Sequence, residues 1–249
     1  MTENAENLAK DAKQKARQIK EDKYAELVKN IELHKPRVLF TSGSPGAGKS
    51  EIVKSLLTGR KDLLVLDPDM YREYFAGYTG DNAAVFTPAA TELLSYFIDT
   101  AMKERYNLVI DTNFIDTGVA KRNILNALKN NYNVSILYVY MDPVIAWEFV
   151  KTRPRKVDPE TFKRNLSKCR TTVTQVMSEP ELSGKITLTG FITQPAQGHS
   201  ASQIATMIRG GNTTLPLELV SERFQSMTEL EKKYPIPYGP VELDEIAVY

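Results

Sequence analysis

Residues 43 to 50 read Gly43-Ser44-Pro45-Gly46-Ala47-Gly48-Lys49-Ser50, filling every fixed position of the Gly-x-x-x-x-Gly-Lys-[Ser/Thr] phosphate-binding loop. A loop that wraps polyphosphate must bring its backbone close to the oxygens, so glycine is needed where a Cβ would collide or φ must be positive. Gly43, Gly46 and Gly48 meet that need. The loop amides then converge on an anion at a helix start, Lys49 reaches the β- and γ-phosphates, and the Ser50 hydroxyl can ligate Mg2+. Gly43 to Ser50, together with Glu51, are the candidate contacts to a nucleoside triphosphate.

The flanks match this reading. Arg37-Val38-Leu39-Phe40-Thr41 is a β-favouring run, and Ser50-Glu51-Ile52-Val53-Lys54-Ser55-Leu56-Leu57 has helical spacing stopped by Gly59. Further continuous apolar runs end in carboxylates: Leu63–Leu66 before Asp67-Pro68-Asp69, Leu108–Ile110 before Asp111, and Val134–Tyr140 before Asp142. Continuous runs suit strands buried on both faces. Helical segments are expected at 87–105, 117–131, 144–152 and from Asp158-Pro159 to about Ser178, where Asp caps and Pro opens the helix. The alternation predicts an α/β fold: a P-loop NTPase with a parallel sheet flanked by helices, nucleotide-kinase-like, its ligand crevice beyond the strands' carboxyl ends.

Residues 1–33 hold no Gly or Pro and carry a thin apolar stripe (Leu8, Ala12, Ala16, Ile19, Leu27, Ile31), which predicts an N-terminal helical extension. It would either pack on the outer surface or engage a partner. The kinase domain is expected over 34–198, with a basic lid at about 151–170. A last strand is expected at 185–191 and a polar loop through Ser202. Residues 199–249 are expected to form a C-terminal helical extension on the core, helical from Leu215 to Leu230.

Composition narrows the rest. A formal charge of +1 over 249 residues argues against a general nucleic-acid or anionic-membrane surface. A single cysteine, Cys169, cannot form an internal disulfide, and no run approaches the ~20 residues of a membrane span. A cytoplasmic setting is expected, although a translocated effector without a cleaved signal would look the same. His34 and His199 lie in expected loops and suggest no metal site.

Phosphoryl transfer to a hydroxyl needs a held triphosphate, an aligned acceptor, a nearby carboxylate and cations for the transferring group. Asp69, just past the second strand, is the candidate general base, with Asp67 as competitor or plain helix cap. Asp111 is placed to hold Mg2+ through water, or to bind substrate. Lys151-Thr152-Arg153-Pro154-Arg155-Lys156, followed by Lys163, Arg164, Lys168 and Arg170, is the densest basic region. Arg153 and Arg164 are the candidates for closing over the γ-phosphate. The aromatic stretch Met70 to Phe86 could floor an acceptor pocket or pack against the sheet.

Taken together, the loop, Leu66-Asp67-Pro68-Asp69 with Arg72, Thr87-Pro88 opening a long helix, Tyr106-Asn107-Leu108-Val109-Ile110-Asp111 and the basic lid resemble the zeta toxin family of P-loop kinases. The likeness spans roughly 36 to 195. It implies ATP with Mg2+, and transfer of the γ-phosphate to a sugar hydroxyl of a nucleotide-sugar such as UDP-N-acetylglucosamine. It further implies Asp69 as base, Lys49 on the phosphates, Arg153 and Arg164 as lid arginines, and a neutralising antitoxin partner. The acceptor-side candidates are Asp67, Arg72, Glu92, Ser95, Asp111 and Asn113. Two departures fall there. Asp111-Thr112-Asn113-Phe114-Ile115 replaces the family's Glu-Gly-Thr-Gly-Arg, losing the arginine, and Ser95 rather than Glu92 stands where the family places a substrate-binding glutamate. A polynucleotide, nucleoside or dinucleotide kinase is the near alternative, and a nucleotide-dependent binding switch the alternative of another class.

Overall fold

The sheet is built around the strand that feeds the glycine loop. In the computed structural model, which describes residues 3–32, 35–152 and 157–235, the chain opens with α1 (Glu3–Val28), β1 (Arg37–Ser42) and α2 (Lys49–Leu57). There follow β2 (Leu64–Leu66), the single-turn α3 (Pro68–Tyr71) with a 3-10 turn at Arg72–Tyr74, α4 (Ala83–Glu104) and β3 (Leu108–Ile110). Next come α5 (Thr117–Lys129), β4 (Asn133–Met141), α6 (Pro143–Thr152) and α7 (Pro159–Ser178). The chain continues with β5 (Ile186–Pro195), α8 (Ala201–Arg209), β6 (Leu217–Phe224) and α9 (Met227–Lys233).

The strand order is β2-β3-β1-β4-β5-β6, with the first five strands parallel. Val38 of β1 stands level with Leu108 of β3 on one side and Val134 of β4 on the other. The ends of β2, β3 and β1 therefore open side by side, and the residues following them share one rim. Side chains alternate across the sheet as strand geometry requires. Phe40, Ile136 and Tyr138 point into the layer of α4, α5 and α7, whereas Leu137, Val139 and Met141 meet α6 and α8.

Local signals explain the helix starts. Asp158 accepts from the Thr161 amide at 2.8 Å with Pro159 at the first position of α7, and Asp116 caps α5 by accepting from Val119 N at 2.9 Å. The helix expected from Thr87 begins a turn earlier, at Ala83, with Pro88 inside it. As the sixth helical residue Pro88 lies past the first-turn amides that have no intrahelical acceptor, so α4 gives up the one bond that an amide here would make to the Ala84 carbonyl.

α1 lies along α4, running the same way: Arg17 Nε donates to Glu92 at 2.8 Å, and about two turns on Tyr24 Oη donates to Glu104 at 2.6 Å. Ala12, Ala16 and Tyr24 are its buried positions. The aromatic stretch after β2 is core rather than pocket floor in large part. Tyr71, Phe75 and Phe86 are buried, and Tyr71 meets Phe97 of α4 edge-on at 5.1 Å.

The C-terminal region corrects the sequence reading. Leu217–Phe224, expected within a helix, is the antiparallel edge strand β6, paired with β5 from Leu188↔Phe224 to Pro195↔Leu217. Leu217, Val220 and Phe224 are spaced as on a helix, but β5 would otherwise present a row of unpaired amides and carbonyls. Satisfying that ladder outweighs local periodicity.

Candidate active site

β1 ends at Ser42, and the loop after it is pressed between β4 and α6. Gly43 has φ 148, and a Cβ there would stand 2.4 Å from the Val139 carbonyl oxygen; Gly46 has φ 79, and its Cβ would stand 2.3 Å from that of Ala146. Gly48 occupies the cap position of α2 in the left-handed region, so no side chain covers the helix's first amides. They remain available to an anion. Lys49 folds back along the loop, its Nζ donating to the carbonyls of Gly43 at 2.8 Å and Ser44 at 2.9 Å. Ala47 is buried beneath the loop, and Ser50 and Glu51 follow in the first turn of α2.

The acidic residues line the adjoining strand ends. Asp111, after β3, accepts from Thr41 Oγ1 at 2.7 Å, and the same oxygen takes the Thr112 amide at 3.1 Å. Thr41 thus ties the end of β3 to the strand entering the loop. Asp67, after β2, caps α3 by accepting from the Asp69 amide at 2.8 Å. Asp69 reaches outward, half exposed, and is ion-paired with Arg72 Nη1. Arg72 itself is buried, with Nη2 3.3 Å from Thr87 Oγ1. A guanidinium fixed from one side by α4 therefore holds the Asp69 carboxylate in place.

Burial, reinforced by the charges of Asp69 and Asp111, pushes the Asp67 carboxyl up to about 6. A carboxyl raised above its ordinary value favours the fold in its neutral form. That contribution is complete below about pH 4 and lost as the pH climbs through 6. Asp67→Asn keeps an oxygen to accept the Asp69 amide and removes the charge. It is expected to be more stable than the parent by about 1–2 kcal/mol at pH 8, after allowance for residual solvent, the difference vanishing near pH 4. Urea unfolding at the two pH values checks this, and an advantage independent of pH would locate the effect elsewhere.

The remaining candidates scatter. Asn113 follows Asp111 on a loop pinned by Phe114, which is buried 5.9 Å from Phe40 although its φ of 54 is unfavourable for a side chain of that size. Arg164 is exposed near the start of α7, donating to Thr161 Oγ1 at 3.1 Å. Arg153 lies outside the described residues. Other cations of the basic region are engaged: Lys151 with Glu148 at 2.6 Å, and Arg170 with Glu231 at 2.5 Å. Glu92 faces α1 through Arg17, and Ser95 lines a groove with Asp99, Arg122 and Asn126 between α4 and α5. Lying twelve residues into α4, Ser95 is ~18 Å along the helix from its start. The structure thus brings Asp67, Asp69, Arg72 and Asp111 to one rim, whereas Glu92 and Ser95 lie lower on α4.

Two residues join the site that sequence reading had assigned only to local structure, Thr41 and Thr87. Thr41 was visible as a hydroxyl in an otherwise apolar strand. Thr87 gave no such signal, because its role depends on which face of α4 meets Arg72. Cys169 is buried behind the loop, and burial pushes its thiol up to about 11, leaving it inert. Among the described residues no group of three or more metal-binding side chains occurs, and no helix is long and apolar enough to cross a membrane.

No curated protein matches the chain. Among solved structures, the PezAT chromosomal toxin–antitoxin system of Streptococcus pneumoniae is similar at 15% identity and TM-score 0.59, over 72% of this chain and 78% of that one. The AvrRxo1-ORF1:AvrRxo1-ORF2 complex with sulphate ions is similar at 14% identity and TM-score 0.54, over 94% of this chain and 73% of that one. The same pair solved with ATP gives 14% identity and TM-score 0.53 over the same shares. These likenesses concern the fold. The zeta toxin family model matches residues 21–185, the stretch from late α1 through β4 to the end of α7 that carries the glycine loop and the acidic rim. The chain belongs to the zeta toxin family of P-loop kinases.

Proposed function

We propose that this phosphotransferase moves the γ-phosphate of ATP to a hydroxyl of a small nucleotide-type acceptor, a nucleotide-sugar such as UDP-N-acetylglucosamine. One observation carries the reading: a glycine loop sealed against β4 and α6, with Lys49 folded over it, shares a rim with a carboxylate fixed by a buried arginine. The loop amides and the Lys49 ammonium bind the β- and γ-phosphates. Lys49 exchanges two carbonyl partners for phosphate oxygens, so its charge is spent on the ligand. Mg2+ would be held by the Ser50 hydroxyl and, through water, by the Asp111 carboxylate, hard oxygen donors that suit the ion. With only these protein groups, phosphate and water would supply the rest of its oxygen ligands. It would offset charge on the phosphates.

Asp69 accepts the proton of the acceptor hydroxyl as that oxygen bonds to the γ-phosphorus. The bond from phosphorus to the β,γ-bridging oxygen breaks, and ADP leaves. Arg164 and Arg153, at the lid, meet the charge on the transferring group. Asp67, Asp111 and Asn113 border the acceptor's place. Arg72, whose guanidinium is buried, acts through Asp69. The near-neutral charge of the chain supports a small acceptor over a polynucleotide. A neutralising protein partner belongs to the same proposal, in keeping with complexes such as the PezAT toxin–antitoxin system.

Incubation with γ-labelled ATP and a panel of nucleotide-sugars, nucleosides, dinucleotides and oligonucleotides tests it. Label should pass to a nucleotide-sugar, and Lys49→Ala should lower that transfer at least ~100-fold. Label appearing only on oligonucleotides would replace the acceptor class. Full turnover in Lys49→Ala would remove the loop from the reaction.

A further inference from the structure

Asn165 on α7 is only 7% exposed, and its Oδ1 is buried without a hydrogen-bond partner among the described residues. A buried carboxamide oxygen lacking a donor is costly, which makes it a place where a ligand is expected. Its position supports this. One and two turns further along the same face of α7 lie Cys169 and Thr172, both buried. The Cys169 carbonyl is 3.5 Å from the hydroxyl of Ser42, the last residue of β1, and Thr172 Oγ1 is 3.3 Å from that of Thr117. The Cys169 thiol also lies close enough to feel the charge of Lys49.

α7 returns from the carboxyl-end rim of the sheet toward the start of β5. A step of four residues back along it, from Cys169 to Asn165, climbs ~6 Å toward the rim. That step carries α7 from the level of Ser42 toward the side of the loop, where the carbonyls of Gly43 and Ser44 hold Lys49. The neighbouring surface is apolar: Ala47, Val139, Phe162 and Leu166 belong to one packed cluster. Rotation of the carboxamide exchanges its oxygen and nitrogen at little cost, so the same side chain can present two N–H donors to an anion.

We propose that Asn165 donates from Nδ2 to an oxygen of the terminal phosphate bound at the loop, so that the helix behind the lid distinguishes a triphosphate from a diphosphate. The proposal rests on the kinase reading above and adds a nucleotide-state contact to it. The terminal phosphate is the recipient because the opening of the loop, where Lys49 rests, is the end that receives it.

Calorimetry with the β,γ-imido analogue of ATP and with ADP, each with magnesium, decides the matter in three proteins. Asn165→Leu, of matching size and apolar, should weaken the analogue about tenfold and leave ADP unchanged, with a melting temperature equal to or above the parent's. Asn165→Asp, which turns a carboxylate toward phosphate, should weaken the analogue further and ADP little. Equal affinities for the analogue in parent and both variants would overturn the proposal while leaving the kinase reading intact. Equal loss of both nucleotides would overturn it too, marking damage to the loop rather than a lost contact. A parent that binds neither nucleotide would instead sink the kinase reading itself.

Discussion

Asp69→Asn is expected to slow phosphoryl transfer about 10³-fold while changing ATP affinity by no more than about twofold, the signature of a lost proton acceptor in an intact nucleotide site. The asymmetry follows from position. Asp69 stands on the single-turn α3, past β2, whereas the loop follows β1, with β3 between the two strands. Asparagine has the same shape and retains an oxygen for Arg72, so the geometry should persist. What it lacks is the capacity to take a proton. The ion pair partner then sits buried without its counter-charge, so a modest fall in melting temperature should accompany the kinetic loss. Single-turnover transfer and calorimetry on the same preparation separate these effects. Turnover within tenfold of the parent would exclude Asp69 as the base and shift attention to Asp67, whose carboxyl, raised to about 6, is better matched to accepting a proton near neutrality. The Asp67 carboxylate is already occupied with the Asp69 amide, which argues for a capping role.

What could be read in the sequence, and what could not, divides along one physical line. The loop, its flanking strand and helix, and the boundaries of α7 are written in local chemistry: glycines where φ is positive, and an Asp-Pro pair at a helix start. Such signals need no knowledge of the rest of the fold. β6 was missed because Leu217, Val220 and Phe224 satisfy a helical spacing, and only the open edge of β5 determines that they pair as a strand. α8 carried a legible signal that went unused. Ser200-Ala201-Ser202-Gln203 is a capping box, with Gln203 N donating to Ser200 Oγ at 3.2 Å and Ser200 N to Gln203 Oε1 at 2.7 Å.

The acceptor side was least legible for the same reason. Glu92 and Thr87 lie on one helix five residues apart, yet one meets α1 and the other Arg72. Five residues turn a helix through ~500°, so the two point to different sides, and which side faces the rim is settled by packing. Asn165 belongs to this class as well. Its chemistry is ordinary until neighbours from distant parts of the chain surround it.

Gly46→Ala is expected to abolish measurable ATP binding, a loss of at least ~100-fold, although it adds one methyl group. Two costs coincide there. At φ 79 an L-residue carries about 1–2 kcal/mol of backbone strain. The new Cβ would also stand 2.3 Å from the Ala146 carbonyl oxygen and 3.0 Å from Val150 Cγ2. The carbonyl belongs to the backbone of α6, so no rotamer change relieves the contact, and the loop must shift away from α6. A shift of even half an ångström disperses amides whose value lies in convergence on one anion. Gly59→Ala isolates the strain alone. That residue has φ 75 with nothing within 4 Å of the added carbon, so it should lower stability by about 1–2 kcal/mol and leave ATP affinity as in the parent. Calorimetric titration of the pair with ATP and magnesium, alongside thermal melting, resolves strain from steric displacement. Parental affinity in Gly46→Ala would mean that phosphate is bound away from this loop, and the assignment of the site would have to be abandoned.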